Sequence, residues 1–181
     1  AWLDQFDQGA ETLLALVALQ PNAPGAADAL FNAGRILERG GRLTRAAETW
    51  ERLLEEYPAA EITPYGHLLA GVTYYRLEKY DQALLVFQRN AVLSSNPEDQ
   101  SAALMWVGKA QQAIGDEESA RQTWQQASAL DPTGYYSQRS GELALDQPVL
   151  HDPVQYSLGV DLDGERRYAE DWLQVTFSLP P

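Results

Sequence analysis

The sequence predicts an all-α fold in which antiparallel helix pairs stack into a right-handed α-α superhelix. Three observations carry this prediction: a repeat of 37 residues, turn or proline residues between the apolar segments, and a composition rich in alanine, leucine, glutamine and glutamate. These four residues are good helix formers, whereas valine and isoleucine, which favour strands, are few. The chain has 181 residues and is 45% apolar, which suits one repeat array with a buried core.

The repeat appears as three columns of residues in a single register of 37. The columns are a glycine (Gly34, Gly71 and Gly108), an alanine (Ala46, Ala83 and Ala120) and a large aromatic residue (Trp50, Phe87 and Trp124). A glycine inside a helix costs about 1 kcal/mol relative to alanine, so its recurrence indicates close approach of two helices. We expect the glycine in the first helix of each unit, helix A, and the alanine facing it from the second, helix B. The aromatic residue, one turn later on the same face, is expected to fill the space toward the next helix.

Helix boundaries follow from turn and cap signals. Thr63-Pro64, Asn96-Pro97 and Asp131-Pro132 each read as a cap residue followed by proline in the first helical turn. The predicted helix pairs are 25–39 with 43–57, 64–78 with 80–94, and 97–114 with 117–130.

The pairs imply an array with unequal ends. Residues 1–132 are predicted to hold a half repeat at 5–21 and whole repeats at about 27–58, 64–97 and 101–132. Residues 133–181 are predicted to hold two further helices, at 133–145 and 165–177, joined by an extended connection over 146–164. The half repeat at the start favours a fragment of a longer protein.

Each unit resembles a tetratricopeptide repeat, whose usual period of about 34 residues is lengthened here, most simply in the loops from helix B to the next helix A. The matching residues are Gly34, Ala46, Trp50 and Pro58 in the first unit; Gly71, Tyr74, Ala83 and Phe87 in the second; and Gly108, Ala120, Trp124, Ala127 and Pro132 in the third. The resemblance implies a solenoid that binds proteins or peptides.

The C-terminal segment carries a second resemblance, to the helical region that precedes the catalytic domain of bacterial soluble lytic transglycosylases. The matching residues are Pro132, Gly134, Tyr135, Tyr136, Arg139 and Leu143, then Ala169, Trp172 and Leu173. This resemblance implies a periplasmic or extracytoplasmic scaffold, with a peptidoglycan-cleaving domain beyond Pro181. The family's Glu-Ser motif is not reproduced, because Glu118-Ser119 is followed by Ala120-Arg121. We therefore expect no enzymatic activity in these residues, and keep a free-standing cytoplasmic adaptor as the alternative.

The amino-acid composition disfavours several classes of partner and site. The net charge of −13 repels phosphate, which disfavours nucleic acid. The absence of cysteine excludes disulfides and thiolate metal sites. No apolar run reaches the roughly 18 residues of a membrane-spanning helix, so no membrane insertion is expected in this segment. No motif predicts a cofactor.

Two sets of polar residues are candidate chemical sites. A metal site of His67 with Glu61 or Glu78 is possible on paper, but no second histidine stands at metal-ligand spacing, which favours a structural histidine. A triad of Ser157, His151 and Asp161 lacks a nucleophile elbow or any other positioning motif.

The concave groove lined by the A helices is the predicted binding surface. Its candidate residues combine aromatic and basic side chains, which suit an extended peptide, a downstream domain or glycan: Phe31, Asn32, Arg35, Tyr65, Leu68, Tyr75, Arg76, Met105, Trp106 and Lys109. The alternative is that several of them pack between helices. The clamp by which chaperone cofactors hold a C-terminal carboxylate is not expected, because its positions hold Phe31, Arg35, Leu69, Ala102 and Trp106.

Overall fold

The computed structural model describes residues 2–147 and 161–178, and its regular elements there are all helical. The helices are α1 (Trp2–Leu19), α2 (Ala26–Arg39), α3 (Leu43–Glu56), α4 (Thr63–Arg76), α5 (Tyr80–Leu93), α6 (Pro97–Ala113), α7 (Glu117–Ser128), α8 (Tyr135–Ala144) and α9 (Leu162–Phe177). The all-α prediction is confirmed. The described residues belong to two compact units, one containing α1 to α8 and the other containing α9.

In the first unit, each helix packs against the next along the chain, and α6 also contacts α4 and α8. Helices α2, α4 and α6 are therefore the A helices of three pairs, and α3, α5 and α7 are their B partners. Helix α1 precedes the first pair in a B position. Helix α8 packs on α7 and α6 as α6 packs on α5 and α4, so α8 takes the position of a fourth helix A.

The repeated glycines are explained by the aromatic rings of their own B helices. The indole of Trp50 lies against Gly34, the ring of Phe87 against Gly71, and the indole of Trp124 against Gly108. These rings were expected to fill the space toward the next helix, and the structure shows that both tryptophans are also bonded to helix A of their own pair. The Trp50 Nε1 donates to the Phe31 carbonyl at 2.9 Å and the Trp124 Nε1 donates to the Met105 carbonyl at 3.0 Å, which fixes both rings on helix A of the same pair.

The helix starts agree only in part with the cap signals. Asn96 caps α6, because its side chain accepts from the Asp99 backbone N–H at 2.8 Å. Thr63 is instead the first residue of α4. Its hydroxyl donates to the Tyr57 carbonyl at 2.7 Å, a hydrogen bond that closes the loop between α3 and α4. Asp131 does not cap α8, which begins three residues after Pro132 at Tyr135.

Helix α9 starts earlier than predicted. It begins at Leu162, and the Asp161 side chain caps it by accepting from the Gly164 backbone N–H at 3.0 Å. The predicted extended connection was therefore wrong at residues 162–164, and its central part, 148–160, lies outside the described residues.

The three turns from helix A to helix B share one backbone conformation. Gly41, Glu78 and Gly115 occupy equivalent positions, with φ of 73°, 59° and 89°. This left-handed region suits glycine, whereas a residue with a Cβ pays roughly 1–2 kcal/mol there. The second repeat thus carries a strained residue where the first and third carry glycine.

Replacing Glu78 with glycine is expected to raise the free energy of unfolding by about 1 kcal/mol, because it removes this strain. Urea unfolding followed by circular dichroism measures the change. The converse variants Gly41→Glu and Gly115→Glu should lose a similar amount, since open space surrounds both glycines and only the backbone conformation opposes a side chain. A destabilised Glu78→Gly variant would contradict the argument.

Candidate binding surface

Side chains of the A helices meet across the array and form one surface. Phe31 on α2 and Tyr65 on α4 have ring centroids 5.7 Å apart, and Tyr75 on α4 meets Trp106 on α6 at 5.5 Å in an edge-to-face contact. We call the surface that α2, α4, α6 and α8 form together the A-helix face. It corresponds to the groove predicted from the sequence.

Two of the predicted groove residues are core residues. Phe31 is 6% exposed and packs between Trp50 and Tyr65, and Met105 is 4% exposed and packs with Trp124. The prediction that they line an open groove was wrong, because A helices in adjacent pairs lie close enough to cover the side chain three positions before the glycine. Leu68, in the same position of the second repeat, is half-buried against the core.

The remaining candidates reach solvent to different extents. Tyr75, Trp106 and Lys109 are half-buried. The exposed candidates are Asn32, Arg35, Tyr65 and Arg76. The A-helix face therefore has an aromatic floor and a set of polar side chains above it.

Tyr65 is 49% exposed and is the most accessible of the aromatic residues predicted to line the groove. It lines two open clefts beside the loops that lead from helix B to helix A. One has a volume of about 450 Å³ and is lined by Ala27, Asp28, Ala60, Glu61, Ile62 and Tyr65. The other has a volume of about 500 Å³ and extends from Pro58 to Asp99 across Tyr65. A tyrosine between two clefts offers a flat ring and a hydroxyl to a bound segment.

Several charged side chains lie in the C-terminal halves of the A helices. Arg76 on α4 donates to Glu38 on α2 at 2.8 Å, in a solvent-exposed ion pair that links two A helices. Arg35 and Lys109 each stand one residue after a repeat glycine, and Val72 occupies the same position between them. Two cations two repeats apart thus flank an apolar side chain.

Lys109 has an unusual environment for a lysine. Its ammonium lies 4.6 Å from the ring centroid of Trp106, within cation–π range. Burial lowers the pKa of Lys109, and the nearby Arg139 guanidinium lowers it further. Arg139 is 9% exposed and donates to Glu142 at 2.6 Å. A half-buried cation on an aromatic ring can bind an anion without first losing a full hydration shell.

Helix α8 contributes residues that were not assigned to the groove. Tyr136 and Leu143 of α8 pack against the cluster of Met105, Ala120 and Trp124, and burial raises the pKa of the Tyr136 hydroxyl. The sequence did not assign α8 to the groove, because the 37-residue register ends at Pro132. From the sequence, α8 was predicted only as an amphipathic helix after that proline, without a packing partner.

The structure describes the histidine of the possible metal site but only one residue of the possible triad. His67 is 1% exposed, and its Nε2 faces the Glu51 carbonyl at 3.4 Å. Among the described residues no group of histidine and carboxylate side chains stands in metal-binding arrangement, so the site with Glu61 or Glu78 is not formed. Ser157 and His151 lie outside the described residues, and Asp161 caps α9. None of the described helices is long and apolar enough to cross a bilayer.

Comparison with known proteins adds the following. The sequence profile of the tetratricopeptide repeat matches residues 3–61 and 68–135, which together exceed half of the chain. A crystal structure of a protein assigned as a kinesin light chain from Podosopora anserina, with nearly identical TPR-like repeats, is similar in fold. The TM-score is 0.59 and the identity 14%, over 97% of this chain and 86% of that one. No curated protein matches the sequence.

Proposed function

Because the chain belongs to the tetratricopeptide repeat family, we propose that it is a non-catalytic scaffold that holds an extended protein segment across its A-helix face. The observation that carries this proposal is Tyr65, which stands half-exposed between two open clefts while its ring rests on the buried Phe31. An aromatic side chain anchored from below and open above is typical of the residues that dominate protein interfaces.

The surrounding surface supports the same proposal. Tyr75 and Trp106 pack edge to face across two A helices, so the floor of the surface is already formed without a partner. A preformed surface loses little conformational entropy on binding, which favours affinity. The polar residues above the floor, among them Asn32 and Arg76, are placed to bond the backbone and side chains of a bound segment.

Selection of unstructured peptides on the wild-type chain tests this function. Replacing Tyr65 with alanine is expected to weaken the selected peptides about 30-fold, as for an interface anchor. Val92→Ala is the matched control, since Val92 is 82% exposed on the B helix α5, and it should leave affinity unchanged. Peptides that respond to Val92→Ala and ignore Tyr65→Ala would place binding on the B helices and refute the proposal.

We further propose a setting for this scaffold, the helical region before the catalytic domain of a lytic transglycosylase in the bacterial cell envelope. The support is the pattern of residues on α8 (Tyr135, Tyr136, Arg139 and Leu143) and on α9 (Ala169, Trp172 and Leu173). Trp172 and Leu173 are exposed on α9, which suits contact with a further domain. A cytoplasmic adaptor fits the repeats equally well.

The two settings predict a different reading frame after Pro181 and a different cellular compartment. A reading frame that continues from Pro181 into a lysozyme-like domain, together with a periplasmic location in cell fractionation, supports the scaffold of a transglycosylase. A frame that ends without such a domain, with the protein in the cytoplasmic fraction, supports the adaptor.

A further inference from the structure

The cations of this acidic chain are not all balanced by carboxylates. The chain has 26 acidic and 13 basic residues, so acidic partners are abundant. Accordingly, many of the basic residues form ion pairs with carboxylates: Arg42, Arg45, Arg52, Arg76, Arg121, Arg139 and Arg166. Within the described residues, no carboxylate pairs with Arg35 or Lys109, although both lie on the A-helix face.

Helix electrostatics account for other cations of this surface but not for these two. Arg39 and Arg76 stand in the last turns of α2 and α4, where the negative end of the helix dipole favours a cation. Arg35 and Lys109 lie inside their helices, each directly after the glycine of its repeat. Their recurrence at one repeat position therefore needs another reason.

Lys109 lies where an anion would be stabilising. Its ammonium is half-buried over Trp106, and Arg139 on α8, although ion-paired with Glu142, still lowers the pKa of Lys109. Two neighbouring cations repel each other, and burial removes part of the water that would screen them. A carboxylate placed at Lys109 offsets both effects.

We propose that the segment held by the A-helix face is an acidic protein segment, with one carboxylate at Lys109, another at Arg35, and an apolar side chain against Val72 between them. The inference rests on the proposed function and adds the chemistry of the partner. It differs from capture of a chain terminus, because the two cations lie two repeats apart and select side-chain carboxylates along a segment.

The spacing of the cations sets the spacing of the carboxylates. Packed helices lie about 10 Å apart. Helices α2 and α6 lie on opposite sides of α4, so the distance between α2 and α6 is roughly 20 Å. An extended chain advances about 3.4 Å per residue, and the two carboxylates are then about six residues apart. The apolar side chain that meets Val72 falls near the middle of that interval.

The acidity of the whole chain does not prevent this contact. At physiological ionic strength the Debye length is about 8 Å, so exposed carboxylates on the loops and B helices are largely screened from a ligand on the A-helix face. The carboxylates of the A helices are nearer, and of these Glu38 is ion-paired with Arg76 and Glu142 with Arg139, whereas Arg35 and Lys109 have no such partner among the described residues. We expect slower association at low salt, where the net charge of −13 repels an acidic segment at longer range.

The test uses a fluorescent synthetic peptide of about twelve residues, with glutamates about six positions apart and leucine between them. Two matched peptides carry glutamine or lysine in place of glutamate. Fluorescence anisotropy with the full chain should show binding of the glutamate peptide at least about tenfold tighter than of the glutamine peptide, and no binding of the lysine peptide.

Variants of the chain assign the contacts. Lys109→Gln and Arg35→Gln are each expected to weaken the glutamate peptide about tenfold, and the double variant Arg35→Glu with Lys109→Glu should prefer the lysine peptide. Arg89→Gln is the control, because Arg89 is an exposed cation on the B helix α5 and should not affect binding. Arg35 and Arg89 are exposed and Lys109 is half-buried, and unchanged thermal unfolding confirms that each variant is folded.

Three results overturn the inference. They are equal affinity for the glutamate and glutamine peptides, no binding of the glutamate peptide, and tighter binding of single-stranded DNA than of any peptide. None of the three decides the proposed function, which stands or fails on whether selected peptides respond to Tyr65→Ala. A selected basic or neutral peptide that needs Tyr65 keeps the function and removes the acidic partner.

Discussion

Replacing Gly34 with alanine is expected to lower the free energy of unfolding by about 3 kcal/mol, at the upper end of what overpacking a core costs. A Cβ at this position would lie 2.3 Å from Nε1 and 2.6 Å from Cδ1 of Trp50. The indole cannot move aside, because it is fully buried and its N–H is bonded to the Phe31 carbonyl. Either that hydrogen bond breaks or the two helices separate.

Two other glycines are matched controls for this prediction. A Cβ at Gly66 would meet Leu53 Cδ1 at 2.2 Å, but that atom ends a flexible side chain, so Gly66→Ala should cost less than Gly34→Ala. A Cβ at Gly9, within α1, would lie 3.8 Å from Ile36, which is ordinary contact. Gly9→Ala should therefore stabilise the protein by up to about 1 kcal/mol through helix propensity.

Urea unfolding followed by far-UV circular dichroism ranks the three variants. The coupling can be isolated by repeating Gly34→Ala in a Trp50→Leu background, where the smaller side chain leaves room for the new methyl group and most of the cost should vanish. If Gly34→Ala costs the same in both backgrounds, contact with the indole is not the cause.

Acidification from pH 8 to pH 5 is expected to destabilise the protein through His67. Burial lowers the pKa of His67, and Arg89 lowers it further, whereas the Glu51 carbonyl and Glu55 act in the opposite direction. The Nε2 atom faces the Glu51 carbonyl, so Nδ1 carries the lone pair, and it has no hydrogen-bond partner in the described structure. Protonation would place an unpaired N–H and a charge in the core between α3 and α4.

The sign follows from proton linkage. The folded state binds the proton of His67 less readily than the unfolded state, whose histidines titrate near pH 6.5. Stability is therefore complete above about pH 6.5 and falls as the pH drops below it, toward the lowered pKa of the folded state. Each pH unit within this window removes up to about 1.4 kcal/mol.

His67→Gln tests the assignment, because glutamine keeps a donor near the Glu51 carbonyl and does not titrate. The variant should lose most of the difference in urea midpoint between pH 8 and pH 5. His151→Gln is the control, as the other histidine of the chain, and should keep that difference. The reverse pattern would assign the pH dependence to His151.

The repeat and its helices were predictable because their signals are local. Helix α6 begins at Pro97 and α3 at Leu43, within the expected boundaries, since proline, cap residues and amphipathic spacing act within one or two turns. The strained turn at Glu78 was not predicted, because a left-handed residue other than glycine leaves no trace in the sequence.

The candidate surface was predicted less completely. Arg35, Tyr65 and Arg76 are exposed as expected, but Phe31 and Met105 are buried. All five lie on the A helices, and the sequence does not show how closely successive A helices approach. That distance depends on how the ring of each B helix sits on its glycine, which is a property of the packed array.

The periodic pattern of glycine, alanine and aromatic residues alone established the solenoid of helix pairs, because only a repeated close contact accounts for glycine inside three helices. Tertiary structure decided which ring covers each glycine, which A-helix side chains remain open, and that α8 extends the A-helix face. These outcomes depend on contacts between residues far apart in the chain, such as Trp50 with the Phe31 carbonyl and Tyr75 with Trp106, and no local spacing encodes them.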